Sequence, residues 1–211
     1  MANSVSYQVL SEGTRNYQIK ITGVLDTSNV AATGTLGALA SGATTLGSTT
    51  ITFTAGGLTP TIGQYVTGTG IPSGAYIVSA TTTSAVISAA ATATGTGLTF
   101  TLTAGNIVVV DPATFLDNYT GQSPITPTTV RIDHVDYSIS DQLEVQLAWD
   151  ATSPQVIMPI AGRGRMSFWN FGGLTNNAGA GKTGRILLQT TGWSSGTQIF
   201  SIVLECVKQY T

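Results

Sequence analysis

The chain has 211 residues and 42% hydrophobic content, so it can bury one or two cores and is too apolar to be disordered. Only 9% of the residues are charged and the formal net charge is −2, which leaves no basic footprint for nucleic acid. The single cysteine, Cys206, excludes an intramolecular disulfide and a cysteine-cluster zinc site, and no run of 18 apolar residues offers a membrane-spanning helix.

The N-terminal MANSVSYQVLSEG has neither a basic region nor an apolar core, so no signal peptide is expected there. Asn16 to Leu25 alternates Tyr17, Ile19 and Ile21 with Gln18, Lys20 and Thr22, the pattern of a half-buried strand. From Thr27 to Val110, 84 consecutive residues contain no Asp, Glu, Lys, Arg or His, and 22 of them are Thr. All the charges fall in the remaining sequence, so the composition divides the chain. The reading is an outer domain of residues 1–35 and 104–211, interrupted by an inserted uncharged domain of residues 36–103. After Asp26, VAATGTLGALASGATTLG (Val30–Gly47) reads as a flexible link of small residues. Short strands are expected at Thr49–Thr54, around Tyr65–Val66, at Ala75–Ser79, at Ser84–Ser88 and at Leu98–Thr103. Such short, closely spaced strands indicate a small sandwich or barrel.

Charged sequence resumes at Asp111. In Val130–Ile139, Val130 and Ile132 share one parity while Val135, Tyr137 and Ile139 share the other, which predicts a β-bulge near His134. Leu143–Trp149 alternates cleanly. Gln155–Ile160 and Met166–Phe171 are further strand candidates, and Arg185–Thr191 and Ile199–Lys208 read as central strands, apolar on both faces. The fold class is therefore all-β: a jelly-roll-like β-sandwich with a small inserted β-sandwich or barrel.

Two stretches carry a resemblance. GSTTITF, IGQYVTGTGIPSGAYIVSA and AAATATGTG resemble a small β module that recurs in virion proteins of tailed bacteriophages. ITGVLDTSN, VRIDHVDYSI, LEVQLAWDA, WNFGGLTNNAGAGKTGRILLQTTG and IFSIVLECVK are similar to a family of short phage structural proteins. The resemblance implies a non-enzymatic virion component made in a bacterial cytoplasm, foremost a capsid decoration (cement) protein. Its partners would be the major capsid protein, or another virion protein, and further copies of itself, most simply as a trimer. A tail, collar or fibre protein whose insert binds host-surface glycans is the alternative.

The motifs with chemical associations read as structural. Gly192–Gly196 matches G-x-S-x-G around Ser194, but joins two strands and has no later His. Gly179–Thr183 lacks the first Gly of a phosphate loop, because Asn176 stands there, and no helix is expected after it. Asp133, His134, Asp136, Asp141 and Glu144 form a poor transition-metal set. Adjacent strand residues point to opposite faces, which separates Asp133 from His134, and a calcium site stays open as an alternative. No catalytic, cofactor or metal residue is expected. Arg163 and Arg165, on a Gly-rich loop, could clamp carboxylates. With Phe168, Trp169, Phe171, Lys182 and Arg185 they are the candidate interface residues.

Overall fold

The structure is a computed structural model and describes residues 4–25, 34–55, 60, 62–116, 119–120, 124–191 and 196–210. Among these residues the chain forms the strands β1 (Ser4–Glu12), β2 (Asn16–Leu25), β3 (Gly34–Thr44), β4 (Thr50–Thr52), β5 (Gln64–Thr67), β6 (Ile77–Ala80), β7 (Ser84–Ile87) and β8 (Gly95–Val110). There follow β9 (Tyr119–Thr120), β10 (Pro124–Ile125), β11 (Thr129–Ile139), β12 (Glu144–Trp149), β13 (Gln155–Ile160), β14 (Arg163–Ser167), β15 (Ile186–Thr191) and β16 (Gln198–Gln209). Single 3-10 turns sit at Pro112–Thr114 and Trp169–Phe171.

Two antiparallel sheets pack as a sandwich. One has the order β1-β2-β16-β11-β14. The other begins β13-β12-β15-β8 and continues through β3, β4, β7 and β6, with β5 also paired to β8. Period-two burial fixes which side chains meet between the sheets. Ile19 and Ile21 of β2, Val135 of β11 and Leu204 of β16 face Leu147 and Trp149 of β12, Val109 of β8 and Leu188 of β15 in one buried cluster. A second cluster, Leu39, Ile51, Phe53, Val66, Ile77, Ile87, Phe100, Leu102 and neighbours, comes wholly from the uncharged region. The first cluster also takes Ile107, Val109 and Val110 from the uncharged stretch, so the change of core falls within β8 and before the change of composition.

The stretch read as a flexible link is partly a strand. β3 runs antiparallel to β8, with Gly34 opposite Ala104 and Leu39 opposite Phe100. Its small residues have a packing reason: a Cβ on Gly42 would stand 2.3 Å from the Phe100 ring. Bulges interrupt the pairing between Leu39 and Gly42, where Ser41 takes a positive φ of 51°. The Leu98–Thr103 candidate is in fact the middle of β8, whose 16 residues pass from the insert's core to the outer one. The predicted bulge in β11 is present, since the register to β16 shifts between Ile132 and His134.

β16 differs from its reading. Phe200, Ile202, Leu204 and Cys206 are buried, while Ile199 on the other face is 57% exposed. Lys208 continues the buried face; its ammonium donates to Glu12 Oε1 at 2.7 Å and lies 4.7 Å from the Phe115 ring centre. β15 is apolar on both faces, as expected. Ile186 and Leu188 enter the sandwich core, and Leu187 joins Val108, Ala148 and Tyr76 in a separate seam on the sheet's back, with Tyr65 packed against it. The insert therefore covers the outer face of the second sheet with two tyrosines.

That seam generates a prediction. Replacing residues 36–103 with a short Gly/Ser linker should leave an outer domain with β-sheet circular dichroism, because β3 and β8 already bring the two ends side by side. The deletion bares Val108, Ala148 and Leu187, so the variant should self-associate and melt below the intact chain. Leu187→Thr should improve solubility in the deletion variant and destabilise the intact protein. An outer domain that is molten after deletion would refute this division of the chain.

Candidate functional site

The predicted interface residues fall into two places. Arg163 and Arg165 stand not on a loop but on β14, an edge strand paired only with β11. Phe168 follows, half-buried against the sandwich core. The chain then turns through Trp169–Phe171, closed by amides of Phe171 and Gly173 that donate to the Phe168 carbonyl, each at 2.9 Å. Gly172 and Gly173 end the turn with φ of 84° and 75°, a region that favours glycine. A side chain on Gly173 would also strike Asp133 Oδ1 at 2.5 Å. The turn leaves Phe171 88% and Trp169 58% exposed, so these rings are surface groups and not core.

Charge pairing at this edge is loose. Arg165 lies 3.6 Å from Asp136 and 3.8 Å from Glu205, with all three side chains substantially exposed. Such pairs contribute little stability and leave Arg165 able to change partners. Arg163 makes no ion pair among the described residues.

The bulge shapes the ground beside the turn. Asp133 is the extra residue, held by Arg131 through two hydrogen bonds of 2.7 and 2.9 Å. At the bulge Asp133 and His134, both half-buried between the buried Ile132 and Val135, border one hollow. The hollow measures about 460 Å³ and also meets Ser11, Asn16, Gln18, Glu205 and Trp169. Among the described residues no three His, Cys, Asp or Glu side chains gather where they could hold a metal ion.

Lys182 and Arg185 lie elsewhere, in a recess where Ser73 and Gly74 of the insert meet Asp111, Thr128 and Thr129 of the outer domain. Arg185 is not available there for a partner. Its Nε donates to Asp111 Oδ2 at 3.0 Å, its Nη1 donates to the Gly74 carbonyl at 3.1 Å, and its guanidinium stacks 5.1 Å from the Tyr76 ring. Tyr76 Oη also donates to Asp111 Oδ2, at 3.0 Å, and Tyr65 Oη donates to Asp150 Oδ2 at 2.8 Å. Thr183 Oγ1 completes Asp150 at 2.6 Å. The GAGKT segment therefore serves this junction, with Gly181 packed on Thr152, and no helix follows it. Sequence reasoning missed the junction, since nothing in the spacing of Tyr65, Tyr76, Asp111, Asp150 and Arg185 shows that they meet.

The rings of the insert are all engaged. Phe53, Phe100 and Tyr76 are buried, and Tyr65 is half-buried on Asp150. Burial raises the Cys206 thiol well above its ordinary range, with the charges of Asp133 and Glu205 adding to it, so this cysteine is a packing residue. Ser194, centre of the G-x-S-x-G match, lies outside the described residues. Among the described residues no helix is long and apolar enough to cross a membrane. No protein-family model matches the chain, and neither a curated protein nor a solved structure matches it.

Burial first, and the neighbouring carboxylate second, hold the Tyr65 and Tyr76 phenols above their ordinary value of 10.0. A phenol whose folded pKa exceeds its unfolded one contributes stability that is fully present below that ordinary value. The contribution is lost as pH rises above it. Stability should accordingly fall above about pH 10, with phenolate absorbance from these two rings appearing only on unfolding. Tyr76→Phe should cost roughly 1.5–3 kcal/mol in denaturant melts, the range for a hydrogen bond to a charged group, and should reduce the alkaline loss. An unchanged melt would show that the Tyr76–Asp111 bond contributes nothing.

Proposed function

We propose that the chain is a non-enzymatic component of a tailed-bacteriophage virion, and within it a capsid decoration protein that binds the assembled head. The observation that carries this reading is the solvent-facing turn beside β14. An edge strand with open backbone groups, an Arg163 without an ion pair among the described residues, and two exposed rings form a surface suited to docking on another protein. The sequence resemblance supplies the particle. The order β2-β16-β11-β14 against β13-β12-β15-β8 supports a jelly roll, because consecutive strands repeatedly cross between the sheets.

The work of such a protein is mechanical. It contacts neighbouring shell subunits that are adjacent only in the completed lattice, so its binding energy favours that lattice by mass action. Assembly of three copies would raise the effective concentration of each attachment. The outer domain makes the contact, and the insert, braced at the junction, projects away from it. An uncharged surface of threonine and glycine suits a solvent-facing role, since its hydroxyls hydrate it without attracting charged partners.

The experiment is co-sedimentation with particles lacking this component. The intact protein should pellet with them. Arg163→Ala with Phe171→Ser should weaken the association by about ten-fold or more, the Arg part being lost at high salt. Arg185→Ala should instead lower Tm, because that side chain holds the junction. Binding by the isolated insert, with none by the outer domain, would reverse the assignment.

A further inference from the structure

The hollow beside Trp169 shares that ring with the docking surface, and its polar floor has a chemistry that docking on a protein does not use. Its floor is the outer face of the first sheet, where β2, β16 and β11 lie side by side. Gln18, Glu205 and His134 stand in a row across these three strands, Gln18 opposite Glu205 and Glu205 opposite His134. Ser11 and Asn16 line one side, and Asp133 and Trp169 the other. The site is shallow, open to solvent and large enough, at about 460 Å³, for a small ligand.

The residues restrict what the ligand is. The Trp169 indole makes no side-chain hydrogen bond among the described residues, so its ring is an uncommitted apolar wall. Around it are an amide pair, a hydroxyl, an imidazole and two carboxylates, which together donate and accept. Among the described residues no lysine or arginine lines the hollow, so it offers no free cation to pair with a phosphate, sulfate or carboxylate group. Nor does the site demand a cation. Asp133 is already held twice by Arg131, and Glu205 accepts from Gln18 at 3.2 Å and faces Arg165. A molecule with an apolar face and a ring of hydroxyls fits both halves of this description.

We propose that the hollow formed by Trp169, Gln18, His134 and Glu205 binds a neutral saccharide, one pyranose stacking on the indole while its hydroxyls meet the polar floor. The act is recognition and not hydrolysis, since both carboxylates are held by neighbouring groups and neither is placed as a proton donor to a leaving oxygen. The hollow carries this on its own geometry, whichever particle the protein belongs to. It also moves sugar recognition from the insert, where every ring is engaged, to the outer domain.

The test uses the full-length protein and a panel of neutral oligosaccharides built from glucose, galactose, mannose and N-acetylglucosamine, with sulfated and sialylated counterparts. Binding is measured by calorimetry and by chemical-shift changes of labelled tryptophan. At least one neutral sugar should bind and should move the Trp169 indole signal. Trp169→Ala should weaken it by about ten-fold or more, Trp169→Phe by less, and Gln18→Ala should also weaken it. Trp169 is exposed, so its replacement leaves the fold intact, which an unchanged Tm verifies. Leu46→Ser, exposed and outside both the hollow and the docking surface, should leave sugar binding unaltered. Failure of every neutral sugar to bind, binding confined to the anionic ones, or affinity that survives Trp169→Ala would each overturn the proposal.

Discussion

The polar junction depends on one strand, β8, which contributes to two cores at once. Phe100 and Leu102 lie in the core of the insert, and Ile107 and Val109 lie in the core of the sandwich. Between them the strand is continuous, so along β8 the insert's core passes directly into the sandwich core. The tyrosines then act as two side braces. Tyr65 and Tyr76 reach back over Val108, Ala148 and Leu187 and end on the carboxylates of Asp150 and Asp111. Arg185 joins the second brace to the Gly74 carbonyl. Each of these carboxylates is about 8 to 9% exposed and would be costly to bury alone; each is satisfied by phenol, hydroxyl or guanidinium donors. The charges missing from the insert are thus supplied at its base by the outer domain.

Away from that base, hydroxyls replace charges. Thr44 Oγ1 donates to the Ala93 carbonyl, Thr94 Oγ1 accepts from Leu46 N, and Thr81 accepts from the amides of Thr83 and Ser84. Threonine serves both a strand and a turn, because its β-branch suits the pleat and its hydroxyl caps backbone groups. The outermost insert strand, β6, has four residues, which leaves a neighbouring chain little edge to pair with.

The legible parts of the fold were those governed by local alternation. β2 and β13 match their sequence boundaries, and the parity change around His134 marked the bulge. β1 went unread although Val5, Tyr7 and Val9 alternate. β3 was hidden because its small residues carry no apolar alternation, and its Gly42 is there to admit the Phe100 ring. Arg163 and Arg165 looked like loop residues because Gly162 and Gly164 flank Arg163, yet β11 pairs with that segment. The aromatic turn was visible as a string of residues, and only the two glycines after it show why the rings point outward. Arg185 could not be placed from sequence, because its partners come from positions 74 and 111.

The continuity of β8 also has a mechanical meaning. A pull on the insert directed along β8 would load the ladders that β8 makes with its neighbours β3 and β15, which run antiparallel to it. The ladder bonds lie across the strand, so such a load shears several of them together and does not open them one at a time. A pull across the strand would instead peel β3 or β15 away bond by bond. Resistance to force is therefore directional: stiff along the axis of β8 and weaker at right angles to it, and the orientation of that axis on a surface decides how much drag the insert withstands.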